Sequence, residues 1–204
     1  MASESTVEDH AVRPRKHRHR GWLIALGVVL FVVLAVVVVA SITPWPSAML
    51  IRSVFEQGGR ATAAEMEKHV PENDALREKT GITYAEDQPG LTLDMYTTAE
   101  DGDSLPTVIW IHGGAWISGS SADVDPYMRI LADAGYTAIA VNYTLGPEAT
   151  YPAAVGELND AFAYILEHAD ELAVEPDTIV MAGDSAGGQL ASQMATLSTN
   201  PDYA

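Results

Sequence analysis

The hydrophobic positions of this chain form two unlike patterns, one continuous and one interrupted. Trp22–Ala40 is a run of 19 residues without a charged or strongly polar side chain. As an α-helix it would be about 28 Å long, roughly the thickness of the hydrocarbon layer of a bilayer. Pro44 and Pro46 follow the run and favour an end of the helix there. The pattern predicts one transmembrane helix over residues 22–42.

Charge is distributed unevenly around this apolar run. Residues 1–40 hold five basic and three acidic side chains, which leaves 6 basic and 25 acidic residues of the total 11 and 28 for residues 41–204. The basic residues lie within 13–20, so the positive-inside rule predicts a cytoplasmic tail over residues 1–21. We therefore expect a single-pass protein of the cell membrane, in contact with the bilayer through residues 22–42 and with the chain after this helix on the extracytoplasmic side. A cleaved signal peptide and a buried core helix are the alternatives.

After residue 81 the pattern changes to short apolar runs that alternate with helical stretches. Strands are predicted over 82–85, 91–96, 107–111, 137–142 and 178–182. Helices are predicted over 61–69, 125–134, 153–172 and 185–197. This alternation predicts the α/β fold class with a doubly wound, mostly parallel sheet. We interpret residues 43–80 as a stalk with a lead-in helix and residues 81–204 as the α/β domain.

Composition excludes several kinds of chemistry. The absence of Cys excludes a disulfide scaffold, a thiol nucleophile and cysteine-based metal sites. The formal net charge of −17 argues against nucleic acid as a partner, because that affinity depends on Lys and Arg neutralising phosphates. The oligomeric state is not readable from the sequence.

A G-x-S-x-G motif at residues 183–187 directly follows one predicted strand and precedes a predicted helix. The motif places its serine on a sharp strand-to-helix turn, where side chains at the flanking positions Gly183 and Gly187 would collide. Ser185 is therefore the candidate nucleophile, at a helix N-terminus that favours negative charge on a nearby substrate oxygen. Asp184 is expected to support this turn. An ordinary glycine-rich turn is the alternative.

A second glycine motif, His112-Gly113-Gly114, follows the buried strand predicted at 107–111. Glycines allow backbone amides to approach one point, as the oxyanion of a tetrahedral intermediate requires. Gly113 and Gly114, with the amide of Ala186, form the predicted oxyanion hole. His112 is expected to shape this loop and not to act as the general base.

Three segments in this order resemble the hormone-sensitive-lipase-like carboxylesterases of the α/β-hydrolase superfamily, and related secreted or anchored bacterial esterases. They are HGGAW at 112–116, NYTLGPEATYPAAV at 142–155 and GDSAGG at 183–188. The resemblance implies hydrolysis of a small-molecule carboxylic ester through an acyl-serine intermediate, without a metal or an organic cofactor. It places the nucleophile on Ser185. Ala115 stands where many members have a third glycine, and Thr144 where an arginine is common.

The catalytic triad implied by this resemblance is incomplete in the sequence. Such enzymes carry the serine, then an acid, then a histidine, whereas Asp202 is the only acid after Ser185 and no histidine follows it. His168 is interpreted as a solvent-exposed surface residue, and His69 has no predicted partner. We therefore expect the triad acid and histidine to be absent from this chain, which would be a nearly inactive N-terminal fragment of a longer esterase. A serine peptidase on the same fold and a non-catalytic anchored binding module are the alternatives.

Overall fold

The computed structural model describes residues 18–200 and 202, and its contacts divide the chain into two compact units with the boundary between Pro44 and Trp45. The described part of the first unit is helix α1 (Arg18–Ile42) with two residues after it. Its segment Gly21–Ile42 has a mean hydropathy of 3.4 and no buried side chain. By length and composition this segment can cross a bilayer, although signal sequences share both properties.

The second unit alternates helices with the strands of one sheet. Its elements are α2 (Trp45–Met66), a 3-10 turn (Glu67–His69), β1 (Arg77–Thr83), β2 (Thr92–Thr97), β3 (Leu105–Ile111), α3 (Ser121–Asp133), β4 (Thr137–Val141), α4 (Ala153–Glu167), β5 (Val174–Gly183) and α5 (Ala186–Thr199). The five strands lie in the order β1-β2-β4-β3-β5. β4, β3 and β5 are parallel, whereas β1 and β2 pair antiparallel.

The predicted α/β class is confirmed: the sheet is mixed, with β1, β3, β4 and β5 running in one direction and β2 running against them. β1 and β2 are joined by a short connection, which suits an antiparallel pair because no crossover is needed. The parallel part, β4-β3-β5, is reached through the crossover helices α3 and α4. The parallel part is the portion that matters for the site, because adjacent parallel strands end at the same edge of a sheet.

Side chains of the central strands alternate between two hydrophobic cores. Ile109 of β3 and Ile139 of β4 are fully buried in the core formed with α4 and α5. Their neighbours Trp110, Ala138 and Ala140 point to the opposite face and pack with α3. Helices therefore cover both faces of the sheet, as the continuous apolar runs of these strands predict.

Two predicted helices differ from the observed ones. The segment interpreted as a stalk is mostly α2, which begins at Trp45, packs against α3 and belongs to the same compact unit as the sheet. Gly58 and Gly59 lower the intrinsic helix propensity of α2, so its helical state depends on packing. α4 ends at Glu167, five residues earlier than predicted, because the chain turns through Ala173 (φ 53°) to begin β5.

The turn between β5 and α5 brings α5 against the end of β3. A Cβ atom on Gly187 would lie 1.9 Å from the carbonyl oxygen of Ile111, and one on Gly183 would lie 2.5 Å from the same oxygen. Both distances are too short for any real side chain. Glycine at these two positions is what allows the ends of β3 and β5 and the start of α5 to meet.

We expect Gly187→Ala to lower the free energy of unfolding by about 3 kcal/mol or more, because the added methyl group collides with backbone that cannot rotate away. Gly156→Ala is the matched control, because this glycine lies inside α4 with open space around its Cβ position. That variant should be about 0.5–1 kcal/mol more stable than the wild type. Chemical denaturation in mild detergent, followed by circular dichroism, measures both. Equal stability of the two variants would contradict the close approach.

Candidate active site

Ser185 is exposed to a cleft of about 550 Å³ at the edge of the sheet where β3 and β5 end. The apolar walls of the cleft come from α2, from β3 and from α3, through Val54, Phe55, Met66, Trp110, Val124 and Tyr127. Two carboxylates, Asp123 and Asp184, also line it, and no Lys or Arg does so among the described residues. The cleft is therefore apolar with a negative edge.

The backbone of Ser185 has the geometry that the motif predicts. Its φ of 49° lies in the left-handed region, which is unusual for a residue with a side chain. Ser185 also occupies the N-cap position of α5, a 14-residue helix that begins at Ala186. As the first residue of the helix, Ala186 presents an amide with no acceptor inside the helix. This amide and the positive end of the helix dipole both favour negative charge beside the serine.

Asp184 connects the turn at Ser185 to the glycine loop after β3. Its Oδ1 accepts hydrogen bonds from the amide of Gly113 at 2.9 Å and from the indole nitrogen of Trp110 at 3.3 Å. The Gly113 amide, one of the three predicted oxyanion donors, thus already donates to a carboxylate. No local sequence pattern indicates this bond, because it joins two motifs that are 71 residues apart.

A tight turn over residues 114–118 directly follows Gly113 in the chain. The carbonyl oxygen of Gly114 accepts from the amides of Ile117 at 3.1 Å and Ser118 at 3.0 Å. Gly114 has a φ of 113°, and a Cβ there would lie 2.2 Å from the Ser118 carbonyl oxygen, so only glycine fits. In the described part of the chain, no acceptor takes the amide hydrogens of Gly114 or Ala115. Both amides are thus unpaired within the described residues, and Gly114 also lines the cleft at Ser185.

His112 lies under this turn, with 2% of its surface exposed. Its Nδ1 is 2.8 Å from the Gly113 carbonyl oxygen, and its ring stacks on Tyr143 at a centroid distance of 4.5 Å. Burial holds the pKa of His112 below its usual value, so the ring is neutral at pH 7 and Nδ1–H donates to the carbonyl. The Tyr143 hydroxyl donates to the His112 carbonyl oxygen at 3.0 Å. No hydrogen bond joins His112 to Ser185 in the described residues.

Neither His168 nor His69 lines the cleft at Ser185. His168 is half-buried at the end of α4 and stacks on Tyr164 at 4.0 Å, so the interpretation of a freely solvated residue is wrong. His69 is exposed in the 3-10 turn, and Asp202 is exposed at the end of the described chain. Among the described residues, no group of three or more His, Asp or Glu side chains could hold a metal ion. The predicted cytoplasmic tail lies mostly outside the described residues.

One wall of the cleft was missed by sequence reasoning altogether. Val54 and Phe55 of α2 border the space above Ser185, although they belong to a segment in which no chemistry was expected. The available signal was weak. Residues 45–55 contain a single charged residue in a region of net charge −19, which is unusual for a solvent-exposed stalk.

The buried neutral state of His112 predicts a pH dependence of stability. Its pKa in the unfolded chain is about 6.5 and lies lower in the fold, so the unfolded state binds more protons between the two values. The free energy of unfolding should therefore fall as the pH is lowered from about 7 to 5, by at most about 1.4 kcal/mol per pH unit for this proton. His112→Asn keeps a donor but does not titrate, so denaturation curves at several pH values should show a smaller slope. Parallel slopes for the two proteins would contradict the assignment.

Comparison with known proteins gives concordant matches. Residues 93–203 match the BD-FAE family. Carboxylesterase NlhH of Mycobacterium tuberculosis is 41% identical over 96 residues, which cover 47% of this chain and 30% of that protein. Ethyl acetate hydrolase of Pseudomonas putida is 30% identical over 161 residues, which cover 68% of this chain and 51% of that protein.

The solved structures agree with these matches. The Pyrobaculum calidifontis esterase superposes with a TM-score of 0.63 at 30% identity, over 77% of this chain and 50% of that one. The chain thus spans about half or less of the length of the relatives it matches. Because the family match covers more than half of the residues and the sheet superposes on that of solved esterases, the chain belongs to the BD-FAE family, among the esterases of the α/β-hydrolase superfamily.

Proposed function

We propose that this protein hydrolyses neutral carboxylic esters through an acyl-enzyme intermediate on Ser185. The observation that carries the proposal is the meeting of an exposed, strained serine with unpaired backbone amides at one end of an apolar cleft. The relatives support the same chemistry, since one is a carboxylesterase and another an ethyl acetate hydrolase. The Ser185 hydroxyl would attack the ester carbonyl, the alcohol would leave, and water would release the acid.

The oxyanion of the tetrahedral intermediate would be stabilised by backbone amides and not by a side chain. We assign Gly114 and Ala186 as donors, with the amide of Ala115 as a third. Gly113 has a positioning role in this arrangement, because its amide is bonded to Asp184 and fixes the start of the turn. Loss of one such donor costs about 10²–10³ in rate in other serine hydrolases.

The reaction also requires a general base for the Ser185 proton. No histidine or carboxylate in the described part of the chain is hydrogen-bonded to Ser185. We propose that the acid and the base are supplied by polypeptide outside the described residues. The half-length alignments with the relatives are consistent with this assignment.

The cleft favours esters without a negative charge. Asp123 and Asp184 line it, while Lys and Arg are absent among the described lining residues, and His112 is neutral. An anionic group on the substrate would be repelled there and would find no counter-ion. The apolar side chains of α2 and α3 suit an aliphatic or aromatic acyl or alcohol group.

We propose further that α1 anchors the protein in the cell membrane as a single span, with the cytoplasmic end at the basic residues 13–20. The length and hydropathy of Gly21–Ile42 support this topology. The second unit would then lie on the outer side, and its 25 acidic against 6 basic residues would be repelled by anionic lipid headgroups.

The polypeptide encoded by the complete reading frame should hydrolyse p-nitrophenyl acetate and butyrate, and Ser185→Ala should lower kcat by about 10³-fold or more. Ser192→Ala is the matched control, because Ser192 is an exposed serine on the same helix and should retain full activity. The p-nitrophenyl monoester of succinate should be hydrolysed at least about tenfold less efficiently than the butyrate ester.

Three results would contradict the ester-hydrolase proposal. Preference for a peptide amide would favour a peptidase, and a folded protein without turnover would favour a binding module. Turnover that survives Ser185→Ala would exclude this serine. Assay of the 204-residue chain in parallel tests whether the base lies outside it, because that chain should then be nearly inactive.

The membrane assignment predicts that the protein stays in the pellet after alkaline carbonate extraction, with its N-terminal residues intact. Replacing Leu30 and Leu34 together by Arg should release it, because each arginine costs about 2.5–3.5 kcal/mol at the centre of a span. Leu166→Arg is the control, since Leu166 is similarly exposed but lies on α4. A soluble protein that begins near residue 41 would indicate a cleaved signal peptide instead.

A further inference from the structure

The side chain of Arg52 connects α2 to the turn at 114–118, which borders the cleft, and to the loop at 144–149. Its Nε donates to the carbonyl oxygen of Ile117, and its Nη2 donates to the carbonyl oxygen of Gly146 at 2.7 Å. Nη1 and Nη2 also form a two-pronged pair with the Glu148 carboxylate, at 2.8 and 2.6 Å. The Arg52 side chain is 19% exposed. One guanidinium therefore holds the turn at 114–118 and the loop at 144–149 together.

The turn that Arg52 contacts is strained. Ala115 and Trp116 both lie in the left-handed region, with φ values of 55° and 59°. Each such residue costs about 1–3 kcal/mol, and the conformation persists only where the surroundings hold it. This turn carries the unpaired amide of Gly114, which lines the cleft together with Ser185, and the unpaired amide of the next residue, Ala115.

Two external hydrogen bonds hold the strained turn from outside, and Arg52 acts on both. The first is the direct bond to the Ile117 carbonyl, one residue after Trp116. The second joins the Gly146 amide to the Trp116 carbonyl oxygen at 2.7 Å, and Arg52 fixes the carbonyl group of this same Gly146. Removing the guanidinium would leave the turn with its internal bonds and one contact to a loosened loop.

We propose that Arg52 is a positioning residue for the oxyanion hole. Its guanidinium, oriented by Glu148, keeps the strained turn at 114–118 in the conformation that presents the Gly114 and Ala115 amides to the substrate oxygen. This inference rests on the ester hydrolysis proposed above. Donors to an oxyanion must lie about 2.7–3.1 Å from its position, so a shift of about 1 Å in this turn lowers the rate by about 10²-fold.

The electrostatics of the pair agree with this role. The hydrogen bond from Arg52 holds the pKa of Glu148 below its usual range, so both partners are ionised at neutral pH. A lysine would keep the charge but has no planar fork, and it could not reach the two carbonyls and the carboxylate at once. The arrangement therefore depends on the planar, multidentate geometry of the guanidinium more than on its charge.

The kinetic test compares Arg52→Met and Arg52→Lys with the control Arg60→Met in the active protein. Arg60 is exposed on the same helix and makes no ion pair among the described residues. We expect both Arg52 variants to lower kcat by about 10–100-fold with KM within about threefold, and Arg60→Met to leave both constants unchanged. Equal loss of kcat in the Arg60 control, or an unchanged kcat in both Arg52 variants, would overturn the proposal.

A second variant separates positioning from a general loss of structure. Adding Ala115→Gly to Arg52→Met removes the penalty of a left-handed alanine, so the turn should keep its conformation better and recover part of the lost kcat. A merely structural role of Arg52 predicts no such recovery. If Arg52→Met fails to fold, Glu148→Gln is tested in its place, and we expect a smaller loss of kcat. An unchanged kcat in Glu148→Gln would show that the inference is wrong.

Hydrogen exchange tests the same inference without any turnover. In the 204-residue chain, the amides of Ile117, Ser118 and Gly146 should exchange at least about tenfold faster in Arg52→Met than in the wild type, and at the wild-type rate in Arg60→Met. Unchanged exchange would overturn the positioning role even if the enzyme is active. If the amides exchange faster in Arg52→Met but the protein hydrolyses no ester, the positioning contact of Arg52 is supported and only the proposed function is refuted.

Discussion

The close approach of α5 to the end of β3 is the constraint on which the rest of the site depends. The Ile111 carbonyl oxygen occupies the space that a side chain on Gly183 or Gly187 would need. Because β3 and β5 are parallel neighbours, the loop after β3 and the turn after β5 leave the sheet at the same edge. Contact between these backbones, without side chains in between, brings Ser185 and the Gly114 amide to one cleft.

Polar contacts then fix the loops that the backbone contact brings together. Asp184 joins the two motifs through the Gly113 amide and the Trp110 indole. Tyr143 holds the other side of the loop through its hydrogen bond to the His112 carbonyl and its stacking on the ring. Burial raises the pKa of the Tyr143 hydroxyl, which keeps it protonated as a donor. The bonds to the Gly113 amide and to the His112 carbonyl satisfy buried or half-buried backbone groups, as a loop inside a protein requires.

The sequence predicted those parts of the site that are encoded locally. Ser185 and its flanking glycines form a turn that a five-residue motif identifies, and the strands around it have continuous apolar runs. The Ile111 carbonyl that excludes side chains at the two glycines comes from a distant part of the sequence. The long-range parts were not predictable in the same way. The bond from Gly113 to Asp184 depends on which strands are adjacent, and α2 is helical because of its packing, despite two adjacent glycines. Strands at 82–85 and 91–96 were predicted, but their antiparallel pairing was not, because the direction of a strand depends on which strands become its neighbours.

The position of α2 changes the interpretation of its residue Arg52. An ion pair as exposed as that of Arg52 and Glu148 contributes about 0–1 kcal/mol to stability, so stability alone does not account for its four hydrogen bonds. In the proposed role, the Arg52 guanidinium affects the catalytic rate more strongly than it affects stability. It restricts a strained turn, and the rate depends on distances between the amide donors and the oxyanion to within a few tenths of an ångström. A contact of modest energy between a helix and two loops can therefore control the catalytic rate through geometry. On the proposed role of Arg52, a segment without a motif of its own contributes to the ester-hydrolysing site.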